Sequence, residues 1–134
     1  MDFPSKTRLI ETDSQVSGTA SLATLAGTEW VLRKLDGQEG EALPAQATLT
    51  FGSGKVSGST GCNRYQGIIS EGESATSLVI GPLITTRMAC PEPLMAQEHA
   101  FLEELGQAEV FQFLLGDLVL SGANGALVFS PQVD

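Results

Sequence analysis

The chain has 134 residues, 42% of them hydrophobic and 17% charged, with 16 acidic against 7 basic side chains and a formal net charge of −9. That length supports one domain with a real core. The negative field and scattered cations exclude a nucleic-acid or anionic-membrane surface, and no apolar run reaches the ~20 residues of a membrane-spanning helix.

Residues 1–26 read as a poorly ordered lead-in or linker. Arg8-Leu-Ile-Glu11 can pair only briefly, and Asp13-Ser-Gln-Val-Ser-Gly-Thr-Ala-Ser21 is small and polar. The start, Met1-Asp-Phe-Pro-Ser-Lys6, has neither an export signal nor a lipidation cysteine. Gly27 to Leu35 forms the first strand, with Trp30 and Leu32 on one face and Glu29, Val31 and Arg33 on the other. Asp36-Gly37 signals a turn. Ala47-Thr-Leu-Thr-Phe51 alternates so that Ala47, Leu49 and Phe51 point inward, and Gly52-Ser-Gly54 connects it to Lys55–Thr60. The glycines here do not make a phosphate loop. Val56 stands where Ser or Thr must hold magnesium, and Leu49 stands where the first glycine belongs.

Arg64 to Ser70 is the next strand, followed by the short Leu78-Val-Ile80 and a break at Gly81-Pro82. Pro91-Glu-Pro93 opens a helix that runs to about Leu105 and stops at Gly106. A meander completes the chain: Glu109–Leu115, Leu118–Ser121 with inward Leu118 and Leu120, and, after the Asn124-Gly125 hairpin signal, Ala126–Ser130 with Leu127 and Phe129. The fold expected is α+β: a curled antiparallel sheet of about seven or eight short strands, partly open and barrel-like, packed on one main helix near 92–105.

Chemistry-bearing residues gather in Gly58-Ser-Thr-Gly-Cys-Asn-Arg-Tyr-Gln-Gly67 and Thr85-Thr-Arg-Met-Ala-Cys90. Cys62 and Cys90 pair as a disulfide, granted an oxidising compartment, or remain two buried thiols. A thiol nucleophile with His99 is the weaker alternative, because Glu98 and His99 point ~100° apart on a helix. Asn63 ties its turn to nearby backbone, and Tyr65 sits half-buried in a strand. On the helix, Leu94, Phe101, Leu102 and Leu105 share an apolar arc with Glu98 near its centre. Either Glu98 turns inward and is held by Arg64, Arg87 or backbone N–H groups, or the helix is rotated and Glu98 lies at the rim. The ligand set for a structural zinc is missing, so neither metal nor cofactor is expected, and no nucleophile, base and orienter can be assembled into an enzyme site.

In these residues the chain resembles the META domain family, which includes the HslJ-type heat-shock lipoproteins. The resemblance covers about residues 27–130 and rests on Gly27-Thr-Glu-Trp30, Gly61-Cys-Asn-Arg-Tyr65, Thr86-Arg-Met88-Ala-Cys90, Glu98 with Phe101 and Leu102, Gly116-Asp-Leu-Val-Leu120 and Leu127-Val-Phe129. It implies one α+β domain over 27–134 and a location in the bacterial periplasm or envelope. It also implies a link to stress tolerance without established enzyme activity. A likeness to a secretion-system pilot lipoprotein adds the alternative of a carrier for lipid or a small apolar ligand, in a cavity between sheet and helix. The expected partner is a protein or an apolar ligand, and the expected state is a monomer. The lack of a signal peptide and lipobox departs from the family pattern and leaves a cytoplasmic location open.

Overall fold

The computed structural model describes residues 2–3, 5–6, 22–35, 43–123 and 125–132. Most of the lead-in, the Asp36-Gly37 turn and Asn124 lie outside the described residues.

The folded unit begins earlier than expected. A 3-10 turn, Leu22–Leu25, buries Leu25 in the core. Gly27 then donates its N–H to the Phe51 carbonyl at 2.7 Å, and the Thr28 hydroxyl donates to the Leu25 carbonyl at 2.6 Å. Residues 22–26 thus belong to the domain rather than to a linker.

Among the described residues nine strands follow: β1 Glu29–Leu35, β2 Thr48–Phe51, β3 Lys55–Ser59, β4 Arg64–Glu71, β5 Leu78–Ile80, β6 Ile84–Thr85, β7 Ala108–Leu114, β8 Asp117–Gly122 and β9 Gly125–Pro131. The helix α1, Leu94–Gly106, separates β6 from β7. The main sheet runs β5-β4-β3-β2-β1-β9-β8-β7, with β6 beside β5 on the same edge of β4. Every pairing within it is antiparallel. Its two ends meet, because Ser77 bridges Val110 and the Phe111 N–H donates to the Thr76 carbonyl at 3.0 Å. The result is a nearly closed eight-strand barrel with one helix, as the alternation of short apolar strands suggested.

Period-two alternation selects the interior: Trp30 and Leu32, Leu49 and Phe51, Tyr65 and Ile69, Leu118 and Leu120, Leu127 and Phe129 are all buried. Two irregularities shift the pattern by one residue. A register shift opposite Val128 and Phe129 makes Arg33 the extra residue of β1, so Leu35 also turns inward. Arg33 is thereby aimed outward, where its Nη1 meets Asp117 Oδ2 at 2.7 Å. A second shift, between Ser121 and Gly122, lets Ala108 and Phe111 share the inner face of β7.

Helix α1 starts as its prolines and glutamate suggested: Glu92 Oε1 accepts the Ala96 N–H at 3.1 Å. Phe101 is fully buried, edge-to-face with Tyr65 of β4 at 5.6 Å and with Phe129 of β9 at 6.3 Å. Those strands are four places apart in the sheet order, so the Phe101 side chain reaches into the barrel interior from the helix. Phe51, Phe101, Phe111 and Phe129 fill that interior.

Candidate functional site

The site grows from the turn between β3 and β4. Gly61 adopts φ +99°, a left-handed conformation, and a Cβ there would lie 2.8 Å from Gln97 Nε2. Thr60 organises the turn. Its Oγ1 accepts the N–H groups of Cys62 at 3.1 Å and Asn63 at 2.9 Å, and its hydroxyl proton goes to Glu98 Oε1 at 2.7 Å. The same oxygen stands 3.1 Å from the Asn63 carbonyl, but the Glu98 carboxylate is nearer at 2.7 Å and the stronger acceptor.

Asn63, only 3% exposed, is the hub. Its Oδ1 accepts from the Met88 N–H at 2.7 Å and the Thr86 hydroxyl at 2.8 Å. Its Nδ2 donates to the Met88 carbonyl at 3.1 Å and to Glu98 Oε1 at 3.0 Å. An asparagine amide offers two donor hydrogens and two acceptor lone pairs, and all are used. The sequence reading, in which Asn63 ties its turn to backbone, extends here to the whole 86–88 segment. Cys62 and Cys90 form a disulfide with Cα atoms 6.1 Å apart, fastening this turn to the entrance of α1.

Of the two expectations for Glu98, the rotated helix is the nearer: Gln97, Phe101 and Leu105 face inward and Glu98 is half-buried beside them, with Thr60 and Asn63 as its partners rather than Arg64 or Arg87. Both arginines are exposed. Adjacent strand residues face opposite ways, so the buried Tyr65 forces Arg64 outward. Tyr65 is 3% exposed and donates its hydroxyl to the Thr48 carbonyl at 2.7 Å. Burial pushes its phenol pKa well above the ordinary value. Met88 has an exposed side chain and a backbone clamped at both polar atoms.

The sequence reading missed Gln97. The innermost stripe of α1 is Gln97, Phe101 and Leu105, while Leu94, Glu98 and Leu102 are half-buried beside it. Gln97 Oε1 accepts the Ala45 N–H at 3.2 Å, and its Nε2 donates to the carbonyls of Ala45 at 3.0 Å and Thr60 at 2.9 Å. Its spacing of four from Phe101 and eight from Leu105 was the available signal.

Beside this node lies a groove of about 720 Å³ between the outer side of α1 and the segment joining β5 to β6. Met95, Glu98, Leu102 and Glu103 form the helical wall, with His99 among them, and Ile80, Pro82 and Leu83 stand opposite. Both thiols are consumed in the disulfide. Among the described residues, no group of His, Cys, Asp and Glu could hold a metal ion, and no helix is long and apolar enough to cross a membrane.

A nearly closed antiparallel barrel crossed by one helix, with a disulfide-pinned Asn-centred turn, defines the class of small domain. The META domain family model matches residues 23–134, and the chain belongs to that family. Among solved structures, an NMR structure of a protein from Burkholderia xenovorans is similar, with 29% identity and a TM-score of 0.67, covering 91% of this chain and 97% of that one. A second NMR structure matches at 23% identity and a TM-score of 0.63, over 83% of this chain and 94% of that one. A crystal structure of a duf4847 family protein from Bacteroides vulgatus, at 14% identity and a TM-score of 0.58, shares the fold over 81% of this chain and 94% of its own. No curated protein matches the chain by sequence.

Proposed function

We propose that this domain is a non-catalytic binding module of the bacterial envelope, and that the groove between α1 and the β5–β6 segment receives its ligand. The observation that carries the reading is a groove of about 720 Å³ on the outer side of α1, walled by apolar side chains around the Glu98 carboxylate. That volume falls within the ~300–1,000 Å³ of small-ligand sites. Apolar walls with a few fixed polar groups are the usual composition of such sites, and Glu98 is fixed by two hydrogen bonds.

The disulfide favours an oxidising compartment such as the periplasm, and the stress-tolerance role comes with the family resemblance. A bonded Cys62 and Cys90 also weigh against the thiol-enzyme alternative, since neither sulfur is free to attack. Native mass spectrometry of protein isolated from its own cell tests the reading. A retained small molecule that disappears in Leu83→Trp, a substitution that fills the groove, is the expected result. An adduct held equally by that variant would overturn it.

A further inference from the structure

The groove has a chemical sign. Resting on the groove reading above, we infer that its ligand is a small cationic amphiphile, with an ammonium or guanidinium head on an apolar body.

The sign is set by Glu98. Its carboxylate is half-buried on the helical wall, and Oε1 receives the Thr60 hydroxyl and the Asn63 amide. These donors fix the orientation of the group, yet both are neutral, and among the described residues no cation is paired with it. Glu103, exposed on the same wall, adds a second carboxylate. An anionic ligand would meet both carboxylates within a chain of net charge −9. A wholly apolar ligand would strip water from Glu98 without replacing it, which is unfavourable. A cation replaces that water and gains the attraction.

The rest of the groove sets the body of the ligand. Met95 and Leu102 flank Glu98 at helical spacing, and Ile80, Pro82 and Leu83 face them. A head at Glu98 therefore leads directly to an apolar trough. The groove's volume suits a single small molecule rather than a folded partner.

The test is an amide NMR titration with decylammonium, using decyl maltoside and decyl sulfate as chain-matched neutral and anionic probes, all below micelle formation. Decylammonium should shift amides in residues 80–85 and 95–106 and bind about tenfold more tightly than decyl maltoside, with decyl sulfate weakest. Glu98→Gln should weaken decylammonium about fivefold and Glu103→Gln about twofold, leaving decyl maltoside unchanged. Glu98→Gln keeps an oxygen for Thr60 and Asn63, so the fold is preserved. Equal binding of all three probes in the groove would overturn the cation preference and leave the groove reading standing. No groove shifts with any probe would remove both. Scattered shifts with decylammonium, indifferent to both substitutions, would reduce the effect to net charge and overturn the inference.

Discussion

Replacing Asn63 with alanine should be among the most damaging single polar deletions in this domain. The amide makes four hydrogen bonds, at 2.7 and 2.8 Å through Oδ1 and at 3.0 and 3.1 Å through Nδ2. Each net contribution is about 0.5–1.5 kcal/mol, so four would sum to roughly 2–6 kcal/mol. Thr86 and Met88 are exposed, and water can re-solvate their freed groups. The expected loss is therefore about 2–3 kcal/mol, read from equilibrium urea unfolding with the disulfide intact and the denaturant slope unchanged. Asn63→Asp sharpens the test. It keeps the acceptor for Thr86 and Met88 but places a carboxylate oxygen against Glu98 Oε1 and the Met88 carbonyl, where a donor belongs. That repulsion raises the pKa of the introduced carboxyl in the folded state above its unfolded value of about 4. Stability is then best below that pH and is lost as pH rises through the folded value. An Asn63→Ala cost under about 1 kcal/mol, or an Asn63→Asp protein as stable as the parent at neutral pH, would refute the hub.

Three further outcomes follow from the same geometry. Replacing both Cys62 and Cys90 with serine opens a crosslink between positions 28 apart and should cost roughly 3–4 kcal/mol by loop entropy, while amide shifts of the sheet stay native. Tyr65→Phe should cost about 1 kcal/mol at neutral pH by orphaning the Thr48 carbonyl. Because burial raises the phenol pKa above its unfolded value of about 10, the parent should lose stability as pH climbs past that value, and stability measured against pH should be flatter in the variant. Leu115→Asn should stabilise by about 0.5–1 kcal/mol in a thermal melt, since Leu115 is 99% exposed at φ +54°, a conformation asparagine tolerates better.

The strands were legible because their cause is local: alternation at Trp30 and Leu32, or Leu127 and Phe129, states which face is buried. The barrel closure was less so. Ser77 and Val110 meet across the helix and carry no mutual signature in sequence. The helix shows how counting apolar residues misplaces a face. Leu94 and Leu102 drew the apolar arc towards Glu98, yet both are only half-buried, and the deepest line runs through the polar Gln97. Gln97 is tolerated there because its partners, Ala45 and Thr60, arrive from 52 and 37 positions away. The arginine partners proposed for Glu98 could have been doubted from sequence, since the alternation that buries Tyr65 already turns Arg64 to solvent.

The neutral partners of Glu98 tie the cysteine segments to the groove. Had an arginine neutralised Glu98, the carboxylate would be a closed structural pair with nothing left for a ligand. Held by a threonine hydroxyl and an asparagine amide, it is oriented but still charged, and it lines the groove. The disulfide, the Asn63 hub and Gln97 fix α1 against the turn before β4 through separate contacts. One wall of the groove is thereby held in place, and a ligand of the proposed kind would avoid much of the cost of ordering it. Because Asn63 holds residues 86–88 and Glu98 by its own hydrogen bonds, loss of the disulfide alone should leave that wall in position, whereas combining it with Asn63→Ala should release the entrance of the helix. Amide exchange at residues 86–98 distinguishes the cases. Similar protection in the double-serine and triple variants would mean that Asn63 does not anchor the helix.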